Sequence, residues 1–150
     1  MARFVYRMQN ILNIKYKLED QAMTEFMLAN RILQEEESKL QVLEERRIGY
    51  SEEGRILLSE NLNLDEIREN REALVRMKEF IELQLNRVEE AKRQVEVKRE
   101  RLAELMKERK TQEKLKEKAF EEFLQEENAR ESKEIDELVS FTYGKRRKED

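Results

Sequence analysis

A near-continuous helical pattern runs from Asn63 to about Ser140 and contains neither proline nor glycine. Apolar residues recur in it at intervals of three and four, which is the spacing of a heptad seam rather than of the broader apolar face of a globular helix. The seam consists of Leu74, Met77, Ile81, Val88, Ala91, Val95, Leu102 and Leu105. The sequence therefore predicts one very long helix that needs a partner helix.

The start of this helix has its own local signals. Asn63 can accept hydrogen bonds from the first free amides, and Glu66 can reach back as the second half of a capping box. Leu62 can pack on Ile67 as a hydrophobic staple. These signals predict that the helix begins at about residue 64.

A second seam precedes this one. Its steps alternate between four and three, except for one doubled step of four at Leu18, Ala22 and Phe26, which is typical of a stutter. Gly49 and Gly54 then weaken the helix by about 1 kcal/mol each relative to alanine, and the pattern leaves open whether the helix bends there or continues to Ser59. The seam residues are Phe4, Met8, Ile11, Lys15, Leu18, Ala22, Phe26, Ala29, Leu33, Glu36, Leu40 and Leu43.

A short connection between two helices makes them antiparallel neighbours. We therefore predict an all-α fold, an antiparallel two-helix coiled-coil hairpin with a longer C-terminal helix, as one domain over residues 1–150. Helix one is expected over about 3–59, the turn over about 60–63 and helix two over about 64–143, where Gly144 ends it.

Folding the chain about residue 62 predicts that the numbers of paired residues add up to about 124. At the end far from the turn, this register predicts an aromatic cluster in which Phe4 and Met8 lie beside Leu115, Phe120, Phe123 and Leu124. The polar Lys15 of the first seam falls level with Arg109 and Gln112, in a polar part of the second helix. A polar layer of this kind can fix the register of a coiled coil.

The second helix is expected to extend beyond the first by roughly 20 residues, about 30 Å. Apolar residues there have no internal partner and suggest an external one, with fraying of the helix end as the alternative. They are Ile135, Leu138, Val139, Phe141 and Tyr143.

Composition argues against an enzyme. The chain has no cysteine and no histidine, which excludes thiol nucleophiles, Cys-ligated metals, Ser-His-Asp triads and His-based zinc sites. We expect no catalysis, no cofactor and no metal. No apolar run has the length of a signal peptide or a membrane span, so we expect a cytoplasmic protein with no direct membrane insertion. A net charge of -4 gives no general attraction to nucleic acid.

Two segments near the ends of the chain resemble one known family. The run from Phe4 to Lys15, with aromatic, aromatic, apolar and Gln residues followed by an aliphatic-Leu pair, is similar to the opening of the flagellar export protein FliJ family. Lys133 to Leu138 is similar to that family's Lys-x-apolar-Asp-Glu-apolar segment. The length, the high charge and the hairpin layout match across essentially the whole chain.

This resemblance implies a stalk protein of the flagellar type III export apparatus, cytoplasmic and peripherally associated with the membrane at the flagellar base. The expected partners are the hexameric export ATPase, the cytoplasmic domain of the membrane export gate, and export chaperones. For the ATPase, the resemblance implies contact through the open end of the hairpin, with the candidate residues Phe4, Met8, Gln9, Leu12, Phe120, Phe123, Lys133, Ile135, Asp136 and Leu138. For the gate, it implies a surface nearer the turn, where the matching positions are Leu43, Arg46, Tyr50, Met77, Phe80 and Gln84.

The residues alone leave two other functions open. One is a generic structural spacer built as a parallel homodimeric coiled coil. The other is a nucleic-acid or membrane-surface binder that uses the basic residues Lys145 to Lys148. Favourable placement of these cations at a helix C-terminus is a simpler explanation for them.

Overall fold

The computed structural model describes residues 2–60 and 63–149, and these form two helices. Helix α1 is Gln9–Glu60 with 52 residues, and helix α2 is Leu64–Glu149 with 86 residues. By their contacts the residues group into two units, Asp20–Ala103, here called the turn unit, and Met1–Glu19 with Glu104–Asp150, here called the terminal unit. The predicted fold class, all-α with two long packed helices of which the second is longer, is confirmed.

The turn unit is an antiparallel helical hairpin. Near the turn, the side-chain amide of Asn70 on α2 donates a hydrogen bond to the carbonyl oxygen of Tyr50 on α1, at 2.8 Å. Further from the turn, the side-chain amide of Gln84 donates to the carbonyl oxygen of Glu36 at 2.9 Å. Its buried apolar residues are mostly small, so the two backbones approach closely. They are Ala22, Ala29, Ala73, Met77, Val88, Ala91 and Leu102.

The terminal unit pairs the first residues of the chain with the second half of α2, also antiparallel. Phe4 contacts Phe120, and Lys15 binds Glu108 at 2.9 Å. In both units the numbers of residues paired across the helices add up to between about 118 and about 129, so the predicted register is confirmed. Because the seam of α2 finds its partner within the same chain, packing does not require a parallel homodimer.

The start of α2 is capped as predicted. The side-chain oxygen of Asn63 accepts hydrogen bonds from the amides of Asp65 at 3.1 Å and Glu66 at 3.4 Å. Two acidic residues in the first turn also suit the positive end of the helix dipole. The staple by Leu62 lies outside the described residues, and the return bond from the Glu66 carboxylate stays a prediction.

Helix α1 begins at Gln9 rather than near residue 3, because the preceding residues pack on α2 in a non-helical conformation. The ring of Phe4 lies against Phe120, and the hydroxyl of the buried Tyr6 donates to Gln112 at 3.3 Å. Residues two apart share a side in an extended chain but diverge in a helix. Both aromatic side chains can therefore reach α2 only if this segment is not helical.

The three glycines do not interrupt the helices. Helix α1 continues through Gly49 and Gly54 to Glu60, and α2 continues through Gly144 to Glu149 rather than ending near Tyr143. None of these glycines has a positive φ. Gly144 therefore does not form the left-handed cap that would end α2, and it costs only its low helix propensity.

Gly54 is required by a close approach between the helices. A Cβ added there would lie 2.5 Å from the side-chain oxygen of Asn70, which is buried and bonded to Tyr50. At Gly49 an added Cβ meets nothing within 4 Å. The same substitution should therefore have opposite effects at the two positions.

We expect Gly54→Ala to destabilise the turn unit by about 1–2 kcal/mol, because displacing Asn70 leaves buried polar groups unpaired. Gly49→Ala should stabilise it by up to about 1 kcal/mol through helix propensity alone. Urea unfolding followed by circular dichroism measures both changes. Equal stabilisation by the two variants would show that Asn70 does not need the space above Gly54.

Candidate functional site

An aromatic cluster occupies the end of the terminal unit. The ring centroid of Phe4 lies 5.1 Å from that of Phe120, edge on, and 5.4 Å from that of Phe123. Phe120 is still 43% exposed. The cluster therefore both fixes the first residues of the chain to α2 and presents aromatic surface to solvent.

The remaining ATPase candidates divide into buried, half-exposed and exposed side chains. Leu12 is 1% exposed and packs inside the unit, so its side chain is not available to a partner in this arrangement. Met8 lies at the surface, and Gln9 donates to Asn13 at 2.9 Å. The others lie on α2 beyond the aromatic cluster, and all are exposed: Lys133, Ile135, Asp136 and Leu138.

A charged network crosses the terminal unit where the sequence predicts a polar layer. Arg109 pairs with Glu19 across the helices and with Glu113 at 3.0 Å along α2. The hydroxyl of Tyr16 donates to the same Glu113 at 2.6 Å. The polar layer is confirmed, although Lys15 pairs with Glu108 rather than lying against Arg109 itself.

Hydrogen bonds across the helices shift the ionisation of this network. The hydrogen bond from Tyr16 lowers the pKa of Glu113, and Arg109 lowers it further. The same bond raises the pKa of the Tyr16 hydroxyl, and the bond to Glu19 raises the pKa of Arg109. The network therefore favours the charged forms of Arg109 and Glu113 and holds the helices in one register.

Three of the six gate candidates line a groove on the turn unit. Leu43, Phe80 and Gln84 line it, and Phe80 is 49% exposed. The side chain of Gln84 is itself buried, at 4% exposure, because its amide donates to the backbone and carboxylate of Glu36. This bond lowers the pKa of Glu36. The exposed lining of the groove therefore combines apolar side chains with the basic Lys39 and Arg87, and a buried polar layer lies beneath it.

The other gate candidates lie in different environments. Met77 is buried between the helices, and Tyr50 is half-buried. Arg46 is exposed on α1. The structure thus brings Leu43, Phe80 and Gln84 together in one groove, while Met77 serves the packing of the hairpin.

Similarity to known proteins identifies the family of this chain. The model of the flagellar FliJ protein family matches residues 4–148. The chain belongs to the FliJ family. A comparison with curated protein sequences finds no significant match.

The fold has a solved counterpart. The structure of a protein described as a YscO homologue from Chlamydia trachomatis is similar, with a TM-score of 0.77 and 24% identity over 100% of both chains. At this identity the likeness shows a shared fold. FliJ-family membership makes this chain a coiled-coil protein associated with type III export, in a family of non-catalytic structural and escort proteins.

The sequence pattern did not indicate two apolar residues that line the groove of the turn unit. Val42 and Leu83 line it beside Phe80, and Leu83 is 59% exposed. Phe80 and Leu83 are three apart, which places them on one helix face. That spacing was a usable signal, but only the packed structure shows that this face borders the groove rather than the interior.

Other site types find no support in the part of the chain that the structure describes. Across residues 2–60 and 63–149, no cluster of three or more acidic side chains is arranged to hold a metal ion. Neither described helix contains a segment sufficiently long and apolar to span a membrane.

Proposed function

We propose that this chain is a non-catalytic stalk of the flagellar type III export apparatus that binds and promotes the hexameric export ATPase. In this role it contacts the cytoplasmic domain of the export gate and exchanges with export chaperones, in the cytoplasm at the flagellar base. Energy comes from ATP hydrolysis by the ATPase, and the chain contributes binding and conformational coupling. Family membership and the two separate exposed apolar surfaces support this proposal.

The observation that carries the ATPase contact is the exposed end of the terminal unit. Phe120, Ile135 and Leu138 are 43%, 60% and 66% exposed, respectively, on a single long helix. Large apolar side chains in this number on a chain of otherwise high charge are typical of a protein-binding surface. A rigid helix also presents them at little cost in conformational entropy.

The gate contact is assigned to the groove of the turn unit. Phe80 and Leu83 supply exposed apolar surface, and Leu43 forms the facing side on α1. An amphipathic segment of the gate can dock there with apolar residues between the two helices. Lys39 and Arg87 border the groove and favour an acidic segment.

One binding experiment tests both contacts with two variants that control each other. The double variant with Ile135→Ser and Leu138→Ser should lose binding to the cognate ATPase and should no longer stimulate ATP hydrolysis, but it should still bind the gate domain. The double variant with Phe80→Ala and Leu83→Ala should lose binding to the gate domain but should still bind and stimulate the ATPase. Each loss is expected to be at least about tenfold in affinity, since central apolar residues dominate such interfaces.

The readouts are pull-down with each purified partner and the steady-state ATPase rate at matched ionic strength. Truncation after Phe123 should also abolish ATPase binding while leaving the paired helices folded. An unmodified chain that neither binds nor stimulates the ATPase contradicts the proposed function. Binding that survives truncation shows instead that the ATPase contact lies elsewhere on the chain.

A further inference from the structure

The last turns of α2 carry an apolar stripe that is exposed to solvent. Ile135, Leu138 and Val139 are 60%, 66% and 62% exposed, respectively. Their spacing of three and four places them on one face of the helix. Every described side chain from Asn128 to Arg147 is exposed, so nothing in the described chain covers this face.

This stripe lies beyond the part of α2 that packs on the first residues of the chain. Phe120 and Phe123 belong to that part, because their rings contact Phe4. Steps of four onward from Phe123 pass Glu127 and Glu131 before they reach Ile135, about three helical turns away. The stripe is therefore separated along α2 from the packed aromatic residues, and the intramolecular packing leaves it uncovered.

The charges beside the stripe are divided along the helix. Residues 126–137 contain six acidic and two basic side chains, whereas residues 145–148 are all basic. Two parallel copies of this segment would place like charges side by side. Two antiparallel copies place the basic end of each against the acidic part of the other, with the apolar stripes in contact between them.

We propose that a second copy of this chain docks antiparallel on residues 126–147 of α2. Ile135 of each copy packs on Leu138 of the other, so the two-fold axis passes between these positions. In this register Arg146 and Arg147 come level with Glu127 and Glu126 of the other copy. Both basic side chains are exposed and available for this contact.

The contact is small and its affinity is modest. Two helical segments of about 20 residues each, with three or four apolar residues apiece, fall in the transient interface class of below about 1,200 Å². Association is therefore expected at concentrations on the order of 100 μM. Because facing charges contribute, it should weaken when salt shortens the Debye length.

Sedimentation equilibrium of the full chain over a concentration series tests the association. The unmodified chain should show a concentration-dependent monomer–dimer equilibrium that shifts to monomer at high salt. Leu138→Glu should be monomeric throughout. Val97→Glu introduces the same charge at a 54% exposed position in the turn unit and should dimerise normally. A monomeric unmodified chain, or equal loss in both variants, overturns the proposal.

Spin labels test the orientation, since the chain has no native cysteine. Single cysteines replace Ser132 or Gln125, both of which are exposed. In the antiparallel register the label-to-label distance should be about 20 Å longer at position 125 than at position 132, from the rise of 1.5 Å per residue. Equal distances at the two positions would show parallel pairing and overturn the proposal.

The proposed dimer goes beyond the proposed function, and the two proposals can be disproved independently. Both use the exposed end of α2, so self-association and ATPase binding should compete. The sedimentation and spin-label measurements contain no ATPase. A monomeric chain that still stimulates the ATPase removes only the dimer, and a dimer that binds no ATPase removes only the proposed function.

Discussion

Replacement of Leu12 by alanine is expected to lower the free energy of unfolding of the terminal unit by about 2–5 kcal/mol. Leu12 is 1% exposed, and no other large side chain of the described residues is as fully buried. The substitution removes the apolar contacts of the leucine side chain and leaves a cavity, which the two paired helices can close only in part. No other substitution of one residue by alanine in this unit should have a larger effect.

Urea unfolding and native-state hydrogen exchange of amides in residues 9–19 and 104–120 measure this change. Ile14→Ala is the matched control, because Ile14 is 55% exposed two residues away on the same helix. It should cost less than about 1 kcal/mol. Similar losses in the two variants would mean that burial of Leu12 is not what holds the first turns of α1 against α2.

Replacement of Arg109 by methionine is expected to have the next largest effect, a fall of several degrees in the thermal unfolding midpoint. Methionine fills similar space but leaves the half-buried Glu19 without its cation, and a charge left without its partner is strongly unfavourable. Arg99→Met is the control. Arg99 pairs with Glu96 on the exposed surface of one helix, where ion pairs contribute little.

The effect of Arg109→Met should depend on pH. In the folded chain the pKa of Glu113 lies below its ordinary value of 4.5, first through the hydrogen bond from Tyr16 and further through Arg109. Such a group adds stability above its unfolded pKa and loses that contribution as the pH falls through its folded pKa. The difference between wild type and variant should therefore be largest near neutral pH and shrink in acid. A difference independent of pH would assign the loss to packing alone.

The candidate partner surfaces show which side-chain positions residue spacing can predict. Phe80 lies off the seam in the sequence pattern, and it is half exposed beside a groove. Gln84 lies three residues after Ile81 and four before Val88, which is a seam position, and it is buried against Glu36. Residue spacing does not predict the degree of burial of Leu12, which is the most buried large side chain of the described residues.

Polar side chains were harder to assign than apolar ones. The sequence placed a polar layer at Lys15 and Arg109, but the pairing of Arg109 with Glu19 depends on the rotation and axial offset of two separate helices. The close approach of Asn70 to Gly54 depends on the same quantities. A chain with 44% charged residues offers many alternative ion pairs with similar local spacing.

The sequence by itself determined the two helices, the capped turn at Asn63, their antiparallel register and the family. Each follows from local signals, namely heptad spacing, a capping side chain and the absence of helix-breaking residues. The tertiary structure alone decided the non-helical start at Phe4 and Tyr6, the partners of the charged side chains and which apolar residues stay exposed. These depend on how one helix face is rotated against the other, and residue spacing along a single helix does not specify that rotation.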